Sequence, residues 1–207
     1  MEPPSNKDAI LDAAEVLFAE KGFAATTIKD IGQAAACNSA LLYYYYTDKE
    51  GLYAAVLERV VQRIIAMGTA ALDEQHDPAL AIQAVLSGQA RLMQHHPAAI
   101  RLIGRELLAG DASRAGAIIH QLAATLFRRL CETIRRGQES GVFRDDVDAR
   151  FAAISLIGQQ SYFYFAAPAV RILLEDNGGM LDDPTRRAFT SHVAAFSLAA
   201  LAAPDTL

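Results

Sequence analysis

Cysteine is scarce in this 207-residue sequence, and the two present, Cys37 and Cys131, have no metal-ligand spacing. Both are expected as reduced structural thiols, with oxidant sensing by Cys37 as the sharper alternative. Low-complexity tracts and internal repeats are absent, and apolar residues make up 52% of the chain, which excludes disorder as the default. No apolar run of membrane-spanning length is free of charge, and no charged-then-apolar leader is present. A soluble, cytoplasmic protein with no membrane partner is expected. Strand-period segments of useful length are missing beyond residue 58. Also missing are a serine in nucleophile-elbow context, an H-E-x-x-H motif, a phosphate-cradling glycine loop and paired carboxylates on a buried face. These gaps argue against an enzyme, and no cofactor or metal is expected.

Basic residues are short where nucleic acid would need them. The formal net charge is −5. Residues 1–50 hold Lys7, Lys21, Lys29 and Lys49 against Glu2, Asp8, Asp12, Glu15, Glu20, Asp30, Asp48 and Glu50. The usual basic footprint of a DNA binder is absent. Any DNA contact must rest on few lysines, on hydroxyls and on helix N-termini. Every lysine precedes residue 50, and every arginine follows residue 58.

What is present is concentrated in residues 26–53, TTIKDIGQAAACNSALLYYYYTDKEGLY. Asp30 follows Thr27 at capping-box spacing, with an acid shorter than the motif prefers. Over residues 28–35, Ile28, Ile31 and Ala34/Ala35 form one apolar stripe. Helical periodicity breaks at Ala36-Cys37-Asn38. Asn38 can cap a second helix, residues 39–44, by accepting from a free first-turn N–H. Asp48 caps a third that begins at Lys49. Two helices joined by so short a turn form the helix-turn-helix pattern, whose second helix can enter the DNA major groove. Ser39 and Ala40 are small enough for close approach. Tyr43 and Tyr44 carry hydroxyls able to reach phosphate oxygens. Lys49 adds an ammonium to a helix N-terminus, a good phosphate site. Lys7 is a further phosphate candidate, or a solvated surface lysine. A tyrosine run at helical spacing also suits a core, and for Tyr43 and Tyr46 both readings stand.

On ILDAAEVLFAEKGFAATTIKDIGQAAA and LLYYYYTDKEGLY, roughly residues 9–57, the chain resembles the DNA-binding domain of the tetracycline-repressor (TetR) family of bacterial transcription regulators. The ordered signature is LF-x-x-x-G, a TT cap, a D-I helix, a tyrosine pair and an x-x-K-x-x-L tail. The resemblance implies that Thr27, Asn38, Ser39, Tyr43, Tyr44 and Lys49 contact the DNA backbone. It also implies that Ser39, Ala40 and Leu41 include the positions facing bases. The sequence departs from the family at Ala36, where Gly is usual, at Cys37 for Val, Asn38 for Ser and Ala40 for Gly. Tyr45-Tyr46 replaces a frequent His-Phe pair. An alanine at a left-handed turn position costs about 1 kcal/mol relative to glycine. These departures bear on the operator sequence, not on the fold.

The remaining periodicity predicts helices over residues 7–20 (ended by Gly22), 48–72, 78–94, 97–109, 113–140, 148–167, 168–175 and 183–203. The expected fold is all-α. An N-terminal three-helix helix-turn-helix domain, residues 1–50, is linked by the helix 48–72 to a C-terminal effector-binding and dimerisation domain, residues 51–207. Helices 148–167 and 184–203 are too apolar to face water in a monomer, and the resemblance implies that they form a four-helix bundle with a second copy. Such a dimer sets two reading helices about 34–36 Å apart on a palindromic site. Polar groups on otherwise apolar faces make Arg101, Arg105, His120, Gln159 and Tyr162 effector candidates, with Gln160 and Tyr164 beside them. A buried arginine would favour an anionic effector; internal ion pairing with Glu106 or Glu132 is the competing reading. The adjacent His95-His96 do not share a helix face and read as a helix end. The resulting expectation is a repressor that binds a double-stranded DNA operator as a homodimer and is released by an unknown small molecule. The alternative is an all-α ligand-binding or interaction protein that has lost DNA binding.

Overall fold

The computed structural model describes residues 6–108, 112–174 and 182–204. The expected frayed arm at 1–5, the Gly110-Asp111 break and the Asn177-Gly178-Gly179 loop lie outside them. Every regular element among the described residues is helical: α1 (Asn6–Ala25), α2 (Ile28–Ala34), α3 (Ser39–Tyr45), α4 (Lys49–Asp73), α5 (Pro78–His95), α6 (Pro97–Leu108), α7 (Ala112–Leu122), a π-turn (Ala123–Phe127), α8 (Arg128–Glu139), α9 (Ala149–Phe165), α10 (Ala167–Leu173) and α11 (Asp183–Leu201). No helix among these residues is long and apolar enough to cross a membrane.

One expectation needs correction. The helix foreseen over 113–140 is interrupted by the π-turn. Within it, Thr125 Oγ1 donates to the Gln121 carbonyl at 2.6 Å. Gly22 ends the first helical run of α1 at a positive φ, as expected of a glycine there. Its φ of 80° and ψ of 169° kink the helix, and one more turn follows to Ala25. That backbone region is closed to residues with a Cβ.

The chain forms two compact units, residues 1–63 with 96–119, and residues 64–95 with 120–207. In the first, Ile10, Ala14, Phe18, Ile31, Leu42, Leu52, Val56 and Val60 are buried. Phe18, Phe23 and Tyr53 meet edge-on and stacked, with ring centroids 4.8–6.0 Å apart. Helix α6 packs on α1 within this unit. The Tyr53 hydroxyl donates to the buried Glu106 carboxylate, and Arg105 donates to the Glu20 carbonyl at 3.2 Å.

In the second unit α5, α8, α9 and α11 pack together. Their shared core includes Ile82, Leu86, Leu130, Ile134, Ala153, Leu156 and Val193. A smaller cluster forms around Phe163 and Val170. The Phe143 ring lies directly over Gly137, leaving no room there for a Cβ. Phe143 also forms an isolated antiparallel bridge with Ala202, which ties the α8–α9 connection to the end of α11.

Candidate nucleic-acid interface

Helix α2 begins with the reciprocal cap that the sequence proposes. Thr27 Oγ1 accepts from the Asp30 N–H at 3.1 Å, and Asp30 Oδ2 accepts from the Thr27 N–H at 3.2 Å. The Thr27 hydroxyl and amide hold the Asp30 carboxyl below the usual carboxylate range. The turn that follows passes through Ala36 at φ 52°, the left-handed conformation foreseen for it. The Cys37 N–H closes the turn on the Gly32 carbonyl at 2.8 Å. A Cβ on Gly32 would sit 2.9 Å from the Cys37 carbonyl oxygen, so α2 can approach the turn this closely only at a glycine. Cys37 is partly buried, whereas Cys131 is buried and its thiol is pushed up by that burial.

Helix α3 starts on Asn38, whose Oδ1 accepts from the Leu41 N–H at 2.9 Å. Leu42 is its one fully buried residue and anchors it to the unit beneath. Around that anchor, Asn38, Ser39 and Ala40 are exposed and Leu41 is half-buried. Tyr43 is 56% exposed and Tyr44 80%, while Tyr46 is 8% exposed. The tyrosine run thus divides by face: Tyr46 packs inward, and burial raises its hydroxyl pKa. Tyr43 and Tyr44 point out. Thr27 and Lys7 are exposed as well.

Lys49 is placed differently from its expected role. Asp48 caps α4, accepting from the Gly51 N–H at 2.7 Å. The Lys49 ammonium, however, turns back to donate to the Phe23 and Thr26 carbonyls at 3.0 and 3.1 Å, and it lies 4.3 Å from the Phe23 ring centre. At most one of its three N–H groups is left to meet a phosphate.

The acidity of residues 1–50 is offset from beyond them. Arg59 on α4 donates to Asp12 at 2.8 Å and to Glu15 at 3.0 Å, and Arg63 donates to Glu15 at 3.2 Å. Glu15 is buried between the two guanidiniums. Lys21 pairs with Asp30 at 3.7 Å. The sequence reading missed this cluster. Its signal was the i,i+4 spacing of Arg59 and Arg63 on one face of the long helix, opposite Asp12 and Glu15 on α1.

The five effector candidates are divided between the two units. Arg101 and Arg105 belong to the first unit and are exposed, so the buried arginine that would select an anion is not found at either position. Neither forms the pair considered with Glu106, which bonds Tyr53 instead. His120 and Tyr162 are exposed in the second unit. The Gln159 amide donates to the Ser155 carbonyl at 3.2 Å and the Ser197 hydroxyl at 3.1 Å. Gln160 is fully buried.

Residues 10–56 match the family model described as bacterial regulatory proteins, tetR family, and residues 78–193 match the one described as tetracyclin repressor-like, C-terminal domain. The chain is similar to the HTH-type transcriptional repressor NicS of Pseudomonas putida, 28% identical over 159 residues, which are 76% of this chain and 74% of that protein. Among solved structures it resembles the ketosteroid transcriptional regulator KstR2 of Mycobacterium tuberculosis, with a TM-score of 0.71 and 22% identity over 97% of each chain. It also resembles AibR in complex with isovaleryl coenzyme A and operator DNA, with a TM-score of 0.75 and 18% identity over 93% of this chain and 97% of that one.

Proposed function

The chain belongs to the tetR family of bacterial regulatory proteins, and we infer from that premise how it works. It is a ligand-responsive, DNA-binding transcriptional regulator. We assign it the sense of a cytoplasmic repressor: a dimer holds a palindromic operator, and a small molecule releases it. The observation that carries the DNA-reading assignment is the outward face of α3, where Ser39, Ala40, Tyr43 and Tyr44 are exposed around the buried anchor Leu42. Small residues at the start of that helix let it approach base edges, with Leu41 at its side. Asn38, Thr27, Tyr43 and Tyr44 reach phosphates through polar groups, and Lys7 contributes charge. Lys49 acts chiefly by fixing the end of α1 against the start of α4.

The dimer interface is assigned to α9 and α11, within the regions 148–167 and 184–203. Phe151, Ile154, Tyr162 and Phe165 on α9 and Phe196 on α11 are exposed in the single chain. A patch of this kind favours association. DNA reading falls to residues 1–50 and effector binding with dimerisation to residues 51–207. Helix α4 is continuous from Lys49 to Asp73 and contributes to both compact units. An effector that binds the two dimer states unequally shifts the operator affinity. The proposed route is through α4 to the separation of the two α3 helices.

The test is operator binding by fluorescence anisotropy, on DNA upstream of the protein's own gene, at low and high salt. Wild type is expected to bind specifically, and Tyr43→Phe with Tyr44→Phe to bind at least tenfold more weakly. Equal affinity in the double variant would remove α3 from the interface. Absence of specific binding by wild type would favour the reading of a ligand-binding protein without operator function.

A further inference from the structure

We propose that Gln160 is the polar anchor of the effector site, and that the effector is a largely apolar molecule presenting a neutral O–H or N–H donor to Gln160 Oε1. The proposal rests on the reading of the chain as an effector-responsive regulator, and it adds the chemistry of the effector.

The inward stripe of α9 runs Ala149, Ala152, Ala153, Leu156, Gln160, Phe163. Gln160 thus occupies a position that the helical period reserves for a core residue, and it is 0% exposed. Its Nε2 donates to the Leu86 carbonyl of α5 at 2.9 Å. That carbonyl fixes the amide orientation, since the flipped group would set oxygen against oxygen. Oε1 is then buried with no hydrogen-bond partner among the described residues. A buried acceptor left unpaired is costly, and buried polar groups are nearly always satisfied. The neighbouring polar contacts between α5 and α9 are complete. Gln89 donates to the Ile157 carbonyl at 3.2 Å and the Ser161 hydroxyl at 3.3 Å, and Tyr164 donates to the Ala90 carbonyl at 3.4 Å.

Gln160 lies between two apolar clusters of this unit, with Phe189 packed against both. Leu156, one turn before Gln160, belongs to the larger cluster. Phe163, one turn after, belongs to the smaller one with Val170. A ligand reaching Gln160 meets apolar side chains on both sides and one fixed acceptor between them. An ammonium there would lose its hydration without gaining a carboxylate, and a carboxylate would face a lone pair, so a neutral donor fits best. Among the described residues of this unit, the other buried atom without a partner is Arg171 Nε. Its side chain is only partly buried and sets a weaker requirement.

The experiment uses the full chain labelled with 15N-glutamine, with the Gln160 side-chain amide signals assigned by their loss in Gln160→Leu. Phenol and anisole are the probes, one with a donor and the other of similar shape without it. Phenol is expected to shift the Gln160 signals saturably and to raise Tm, with anisole at least tenfold weaker. Gln160→Leu, or Gln160→Met if the first variant folds poorly, is expected to lose the preference for phenol while remaining helical. Unmoved Gln160 signals at saturating phenol, equal binding of anisole, or an unchanged preference in the variant would overturn the proposal. An internal water that serves Oε1 would give the first of these results. Operator binding, measured without probe on wild type and variant, tests the regulator reading separately.

Discussion

Ala36 shows how a single residue can be read correctly for a physical reason. Helical periodicity stops there, the resemblance puts a glycine at that position, and the backbone takes φ 52°. Ala36→Gly is expected to stabilise the protein by about 0.5–1 kcal/mol, the left-handed strain being partly offset by the entropy glycine loses on folding. Urea denaturation would measure it, and a loss of stability would contradict the strain. The tyrosines were legible only as a group. Period alone cannot tell Tyr46, which packs inward, from Tyr43 and Tyr44, which face out, because neighbouring helices decide which side is covered. Lys49 spends two of its three N–H groups on carbonyls at the end of α1, which its place at a helix start does not announce. The two lysines should therefore separate. Lys7→Gln is expected to leave stability unchanged and to lower the salt dependence of operator binding by a slope of about 1. Lys49→Gln is expected to cost about 1.5–3 kcal/mol of stability, the range for hydrogen bonds to a charged group. Denaturation and salt-titrated anisotropy on both variants would check this, and a stability loss in Lys7→Gln alone would reverse the assignment.

At the scale of elements, helix existence and most boundaries followed from caps and periodicity. Thr27, Asn38, Asp148 and Asp182 each accept a first-turn N–H at the start of their helix. The π-turn at Ala123–Phe127 was not legible, because the apolar period runs through Leu122 and Leu126 without a break. Asp148 gives a pH test. Its hydrogen bonds from the Arg150 guanidinium and backbone N–H draw its carboxyl down from 3.8 to about 2. A depressed carboxyl contributes its stability above the unfolded value near 3.8 and loses it as pH falls through about 2. Asp148→Asn is expected to flatten the acid limb of stability between about pH 4 and pH 2. Thermal melts across that range would show it, and an acid limb unchanged from wild type would contradict the linkage.

At the scale of the whole molecule, the sequence division at residue 50 and the compact units differ in an instructive way. The first unit takes in α4 as far as Arg63 and, from later in the chain, α6. Long-range pairs cause this: Glu15 with Arg59 and Arg63, Tyr53 with Glu106, Arg105 with Glu20. No local pattern announces the partners of Tyr53 and Arg105, 53 and 85 residues away. Arg59 and Arg63 also pair with Asp12 and Glu15, which offsets part of the acidity of the N-terminal helices. The apolar α9 and α11 faces yield a prediction about assembly. Phe151→Asp with Phe196→Asp is expected to convert a dimer to a helical monomer in analytical ultracentrifugation and to lower operator affinity by at least tenfold. A dimer that survives both changes would move the interface elsewhere. The most direct measurement is a hydroxyl-radical footprint of wild type on the DNA upstream of its own gene. Two protected patches related by a two-fold and centred about 34–36 Å apart are expected, both fading in the Tyr43→Phe, Tyr44→Phe variant. A single patch, or protection unchanged in that variant, would contradict a dimer reading DNA through α3.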